Sequence, residues 1–90
     1  MRKIVEIIYP NGETLDFEFK GKKPSLEELQ GAVDGLIEVA YLTDGKLMII
    51  NEEGKINNLE PNHVATDLAF PNGGDVIAGN AVVMPREMME

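Results

Sequence analysis

The fold is decided between residues 36 and 50, where the sequence is LIEVAYLTDGKLMII. Two apolar runs rich in β-branched residues flank Thr43-Asp44-Gly45, a set of residues typical of turns. This spacing predicts a hairpin whose strands are residues 36–42 and 46–50. Because residues 47–50 are apolar without alternation, we expect the second strand to be covered on both faces of its sheet.

A further hairpin is predicted upstream, from strands at residues 4–9 and 14–19. Apolar and polar residues alternate without a break over residues 14–19, which places Leu15, Phe17 and Phe19 on one face of the strand. Asn11-Gly12 lies between the two strands, and these residue types accept the positive φ values that a tight hairpin turn requires.

A short helix is predicted after Pro24. Ser25 and Glu28 have the spacing of a capping box, in which each side chain accepts a hydrogen bond from the backbone of the other residue. The helix presents an apolar stripe, because Leu26, Leu29 and Val33 recur at spacings of three and four. Gly35 is expected to end it in the left-handed conformation.

The last third of the chain predicts a second short helix and a final strand. The helix is expected to begin near Pro61 or Asn62. Its predicted inward residues are Val64, Leu68 and Phe70. Residues 75–84 predict the strand, and Gly79 within it indicates a bulge or a close contact.

These elements predict one α+β domain, residues 1–85, followed by a C-terminal tail, residues 86–90. Its small, mostly antiparallel sheet comprises the N-terminal hairpin, the central hairpin and the C-terminal strand, together with one or two short helices. The small core and the apolar C-terminal end, with Met84, Met88 and Met89, lead us to expect a homodimer as an alternative to a monomer.

Charge and composition exclude several classes of protein. The 90 residues carry eight Lys and Arg against sixteen Asp and Glu, a net charge of −8, and they include no cysteine. Residues 24–90 would repel a phosphate backbone, so duplex nucleic-acid binding is not expected. No apolar run approaches the ~20 residues of a membrane span, and Met1-Arg2-Lys3 does not begin a signal peptide. We therefore expect a soluble cytoplasmic protein without membrane contact.

Six residues are candidates for ligand or partner binding: Asn51, Glu52, Asn62, His63, Lys22 and Lys23. The first three belong to an oxygen-rich stretch, which is either a solvated loop or a recognition site and does not have EF-hand spacing. His63 is the single histidine, so a surface or capping role is favoured over that of a base oriented by Asp67. The two lysines belong to a basic loop that holds a phosphate or an acidic partner, or is simply solvated.

The order of segments in the second half resembles a known family. The stretches that carry this resemblance are residues 29–31, 35–39, 50–55 (INEEGK), Asn62 and 74–83 (GDVIAGNAVV). They are similar to the domain-of-unknown-function family numbered 3846, over roughly residues 26–84. The family comprises short proteins of bacteriophages, prophages and their bacterial hosts. The resemblance implies a phage or mobile-element setting, and it implies no reaction.

These observations predict a non-enzymatic phage-type accessory protein in the cytoplasm of a bacterial host. We expect it to bind a host protein or a small nucleotide-like ligand, and interference with host defence is a use that fits this setting. No catalytic residue, metal ligand or cofactor is predicted. The alternative is a small metal-dependent hydrolase or nucleotide-processing enzyme that uses Glu52 or Glu53.

Overall fold

Five antiparallel strands form one sheet in the computed structural model, which describes residues 5–89. The elements in chain order are β1 (Glu6–Ile8), β2 (Thr14–Asp16), α1 (Leu26–Val33), β3 (Ile37–Tyr41), β4 (Lys46–Asn51), α2 (His63–Ala69), β5 (Ala81–Pro85) and a 3-10 helix (Arg86–Met89). The strand order is β2-β1-β5-β4-β3. The predicted α+β fold is therefore confirmed. The predicted strand start at Ile4, the Met1-Arg2-Lys3 segment and Glu90 of the tail lie outside the described residues.

The sheet is covered on both faces, as the apolar run of β4 predicts. Leu47 and Ile49 lie in a cluster under α1, and Met48 lies in a cluster on the opposite face, beside α2. The α1-side cluster consists of Val5, Ile7, Leu29, Val33, Leu47, Ile49, Val82 and Met84. The α2-side cluster consists of Ile8, Leu42, Met48, Ala65, Ile77, Ala81 and Val83. Because strand side chains alternate between faces, β4 contributes to both clusters.

The predicted capping box of α1 is present, but the end of the helix differs from the prediction. Ser25 Oγ accepts the N–H of Glu28, and the Glu28 carboxylate accepts the N–H of Ser25. The left-handed residue is Asp34, with φ 62°, and not Gly35. A Cβ at position 35 would lie 2.8 Å from Asn51 Nδ2. Gly35 therefore accommodates the close approach of β4.

The first hairpin forms with a different turn from the one predicted. Gly12 has φ 91°, whereas Asn11 is not in the left-handed region, and the N–H of Gly12 donates to Tyr9 O at 2.9 Å. Pro10 explains the difference, because its ring fixes φ near −65° and favours an ordinary turn that ends in a left-handed glycine. Strand β2 is shorter than predicted, and Phe17 packs beyond it, partly buried, against the α1-side cluster.

Two predictions for the last third of the chain are wrong. Val64 and Leu68 point outward, with exposed fractions of 40% and 49%, and the buried residue of α2 is Ala65. Ala65 is the residue through which this two-turn helix joins the α2-side cluster. Only residues 81–85 form the final strand, because Gly79 has φ 88° and interrupts the extended backbone. The predicted close contact at Gly79 is confirmed, since a Cβ there would lie 2.8 Å from Leu59 Cδ1.

Residues 86–89, which were predicted as a tail, form the 3-10 helix and pack against the domain. The Arg86 guanidinium donates to Leu42 O at 3.1 Å and lies 5.0 Å from the centre of the Tyr41 ring. Met88 is partly buried against the α1-side cluster. The chain end thus extends the core beside β3. Within residues 5–89, neither helix has the length and apolar character of a membrane span.

Substitution of two glycines by alanine is expected to change stability in opposite directions. In Gly54→Ala the new Cβ would lie 2.7 Å from the backbone oxygen of Ala78, so we expect a loss of about 2 kcal/mol or more in the free energy of unfolding. Gly31→Ala, in the open interior of α1, is the matched control and should gain ~0.5–1 kcal/mol. Urea unfolding measures both values. Equal urea midpoints for Gly54→Ala and the wild type would contradict the close approach of Gly54 to the backbone of Ala78.

Candidate functional site

A cleft of about 260 Å³ opens on the α2 side of the sheet, over β3 and β4. Its floor is apolar. The floor residues are Ala40, Ile50, Phe70, Ile77 and Ala78. Charged residues surround this floor. They are Glu38, Glu52, Lys55 and Asp75. The arrangement suits an apolar group that carries a charge at its edge.

The central hairpin supplies one side of the cleft. In its register Glu38 lies opposite Ile50, and Ala40 lies opposite Met48. These four residues share the α2 face of the sheet, because β pairing keeps directly opposed side chains on one face. The small Ala40 side chain at the edge strand leaves the space that becomes the cleft.

Two loops supply the other walls. The loop after β4 folds back on itself, with the N–H of Asn57 donating to Glu53 O and the N–H of Leu59 donating to Gly54 O, both at 2.9 Å. The segment of residues 75–78 is held to α2 by Ile77, whose N–H donates to Thr66 Oγ1 at 2.9 Å. Neither wall is part of a strand or helix, so specific hydrogen bonds determine its position.

Asn62 holds the second wall, the segment of residues 75–78, in position. Its side chain is 0% exposed. Nδ2 donates to Ile8 O and to Gly79 O, each at 2.9 Å, and Oδ1 accepts the N–H of Ala65 at 3.1 Å as the N-cap of α2. One amide therefore joins β1, α2 and the segment that leads into β5.

Asn51 has the equivalent role at the end of β4. Its Nδ2 donates to Val33 O at 2.8 Å, and its Oδ1 accepts the N–H of Glu53 at 2.7 Å. The side chain is buried, and it joins α1 to the start of the first wall. Both ends of each asparagine amide are bonded to backbone, so the geometry gives Asn51 and Asn62 a positioning role at the cleft. Direct ligand contact by either residue stays a prediction.

The other predicted site residues lie apart from one another. Glu52 is exposed and lines the cleft. His63 is exposed at the start of α2 and is not a lining residue, and the described part of the chain contains no bond between it and Asp67. Lys22 and Lys23 are exposed in the loop before α1, on the opposite side of the sheet. The structure thus brings only Asn51 and Glu52 together at the cleft.

A carboxylate of the chain itself, on α1, binds to the basic loop before that helix. The Glu28 carboxylate accepts the N–H of Lys20 at 3.0 Å and the N–H of Ser25 at 2.9 Å. The hydrogen bond from the Ser25 backbone is the main cause of a Glu28 pKa below its ordinary value of 4.5. This carboxylate therefore occupies two backbone N–H donors, one at each end of the loop.

An ion pair joins the two walls across the cleft mouth. Lys55 Nζ contacts Asp75 Oδ1, and this side-chain hydrogen bond holds the pKa of Asp75 below its ordinary value of 3.8. Glu38 and Glu52 have no ion pair within residues 5–89. Because the lysine is engaged and two carboxylates remain unpaired, the rim is net negative. In the same range, no group of three His, Asp or Glu residues is arranged to hold a metal ion.

Sequence reasoning missed most of the cleft. Phe70 and Ile77 were interpreted as parts of a helix and a strand, and the Lys55–Asp75 pair joins residues that are twenty positions apart. No local pattern marks such a pair. Glu38 and Ala40 carried a usable signal, because alternate residues of a strand face the same side.

Comparison with known proteins identifies one relationship. A family model described as a domain of unknown function, DUF3846, matches residues 3–88, nearly the whole chain. The match includes the N-terminal hairpin, which the resemblance over residues 26–84 left outside, and it confirms that resemblance. No curated protein and no solved structure matches the chain.

Removal of the Asn62 amide is expected to destabilise the domain strongly. Asn62→Ala loses an N-cap and leaves two backbone carbonyls without this donor, so the free energy of unfolding should fall by about 2–4 kcal/mol. Asn57→Ala, at an exposed position in the neighbouring loop, is the control and should change it by less than about 0.5 kcal/mol. Urea unfolding monitored by circular dichroism measures both. If Asn62→Ala lowered the free energy of unfolding by no more than Asn57→Ala does, the structural role of Asn62 would be contradicted.

Glu28 is expected to make stability depend on acid pH. Its folded-state pKa is lowered, so its stabilising contribution is complete above pH 4.5 and is lost as pH falls through the folded-state value. Glu28→Gln should therefore lower Tm at pH 7, and the difference from wild type should shrink below pH 4.5. Glu27→Gln, in the same helical turn, controls for the loss of a charge near the helix start. A gap that stays constant with pH would contradict this assignment.

Proposed function

The chain belongs to the DUF3846 family, and we propose that it is a binding module that holds a segment of another protein in the cleft over β3 and β4. The observation that carries this proposal is the combination of an apolar floor with a rim whose unpaired charges are carboxylates. Neither a reaction nor a cofactor is part of the proposal.

The dimensions of the cleft favour a protein side chain as its occupant. Sites for small molecules usually measure ~300–1,000 Å³, and this cleft is smaller, at about 260 Å³. It accommodates one or two apolar side chains of a larger partner. Burial of each such side chain contributes ~1.5–3 kcal/mol, so further contacts along the rim are needed for specific binding.

The charge of the rim favours a basic partner over a nucleotide. Glu38 and Glu52 lie at the cleft without ion pairs among the described residues, and Lys55 is engaged by Asp75. A phosphate at this rim would be repelled, whereas Lys or Arg beside an apolar anchor would be attracted. Of the two ligand classes that the sequence left open, these charges support a protein partner.

The biological setting belongs to the same proposal. The family resemblance supports a phage-type accessory protein that acts in the cytoplasm of a bacterial host, and interference with a host defence protein is one use of a module of this kind. The metal-dependent hydrolase stays a prediction, with Glu52 and Glu53 both exposed. Homodimerisation also stays a prediction.

Reversal of the rim charge is expected to weaken partner binding. Selection from a random-peptide display library against the wild-type protein should enrich sequences that combine basic and apolar residues. Glu38→Lys/Glu52→Lys should bind the enriched peptides about tenfold more weakly, with a reduced dependence on salt. Isothermal titration calorimetry of the synthetic peptides measures this ratio.

The matched control is Glu60→Lys/Asp67→Lys, which makes the same change in net charge at exposed positions that do not line the cleft. Its affinity for the peptides should stay close to that of the wild type. Failure to enrich any peptide, or equal losses in both double variants, would contradict the proposal. A rise in Tm with ATP or GTP, absent in the cleft variant, would instead identify a nucleotide site.

A further inference from the structure

We propose that the partner segment binds as an additional β-strand along the free edge of β3, with alternate side chains entering the cleft. This inference rests on the proposed function and specifies its binding mode. The occupant is an extended segment with an apolar anchor and flanking basic residues. Backbone pairing supplies affinity in this mode, and the cleft supplies specificity.

The register shows which backbone groups of β3 are available. The N–H of Leu42 donates to Lys46 O at 2.9 Å, and the N–H of Glu52 donates to Leu36 O at 2.8 Å. In an antiparallel pair the bonded residues alternate, so even-numbered positions from 36 to 42 bond to β4. The odd-numbered positions Ile37, Val39 and Tyr41 therefore turn their N–H and C=O groups toward the free edge.

The free edge of β3 lacks several of the features that usually block strand addition. β3 is the terminal strand of the sheet, and within residues 5–89 no segment pairs with its outer side. Native edges are commonly protected by proline, lysine, a bulge or very short length. The five residues of β3, IEVAY, include no proline or lysine, whereas the opposite edge strand, β2, has only three residues.

The cleft lies where an added strand would place its side chains. Strands are spaced ~4.8 Å apart, so a residue paired beside Ala40 projects on the α2 face next to the cleft floor. Its neighbour two positions away in the direction of Glu38 lies near that carboxylate, and Glu52 completes the acidic rim. An apolar residue that is followed, on the side of Glu38, by Lys or Arg at alternate positions thus matches both the floor and the charge.

Charge also favours a foreign segment over a second copy of this chain. A β3-to-β3 pair would bring together the unpaired carboxylates of two copies that each carry a net charge of −8. A basic segment meets the same edge with attraction. The two occupants differ in stoichiometry, which the experiment measures.

The experiment blocks the edge and leaves the cleft in place. The probe is the set of peptides enriched from the display library on the wild-type protein. In Val39→Pro the outward N–H is replaced by a proline ring, while the bonds between β3 and β4 are retained, because position 39 does not bond to β4. Val39→Ala removes a comparable amount of side chain and keeps the N–H. We expect about tenfold weaker peptide binding by Val39→Pro than by Val39→Ala.

N-methylation of the peptides provides an independent measurement on the unaltered protein. Two sets of peptides are made, one methylated at the odd-numbered backbone nitrogens and the other at the even-numbered ones. Methylation of the set that faces β3 should abolish binding, whereas methylation of the other set should leave the affinity within about threefold of that of the unmethylated peptide. This alternation supports strand addition even if Val39→Pro does not fold.

Three results would overturn the inference. If the peptides bind and respond to Glu38→Lys/Glu52→Lys, but are indifferent to Val39→Pro and to the alternation of N-methylation, the proposed function stands and the edge mode fails. If light scattering shows a dimer that Val39→Pro converts to monomer, the edge is occupied by a second copy. If no peptide is enriched, the proposed function itself fails.

Discussion

Strand β5 forms backbone hydrogen bonds with β1 on one side and with β4 on the other. Among residues 5–89, the two hairpins are joined into a single sheet only through this strand. Its alternating side chains reach both cores, with Val82 under α1 and Val83 beside α2. Since β1 pairs with β5, the domain is completed by contacts between residues that are distant in the sequence. One wall of the cleft depends directly on this central strand, because the segment of residues 75–78 leads into β5.

Two buried asparagines attach the loops that form the cleft walls to the rest of the domain. A buried amide is costly unless both its donor and its acceptor are satisfied, and Asn51 and Asn62 satisfy theirs with backbone groups from separate parts of the chain. The loops they hold have little regular structure of their own. These hydrogen bonds therefore hold the loop walls of the cleft to the sheet.

The sequence is informative where the physical cause is local. The capping box at Ser25 and Glu28 and the hairpin that contains Gly45 involve residues a few positions apart, and both are correctly predicted. Periodicity misplaced Val64 and Leu68, because the hydrogen bonds that Asn62 and Thr66 make with residues outside α2, and not the spacing of apolar residues, hold the side with Ala65 inward. Of the candidate site, sequence reasoning identified Glu52 and the positions of the two asparagines. Apart from Ala40, whose face follows from strand alternation, the floor was not predictable, since it joins residues that are distant in the sequence, from β3 to Ala78.

Alternate residues of β3 face opposite sides of the sheet and therefore have different roles. Ile37 and Val39 pack against the α1-side cluster, whereas Glu38 and Ala40 line the cleft. Substitutions at the even positions therefore alter the outward chemistry of the strand with little disturbance of the α1-side packing. In the proposed mode, a lineage of such proteins can diversify its targets by changing every second residue of one strand. Adaptation to a new target then does not require the α1-side cluster to evolve again.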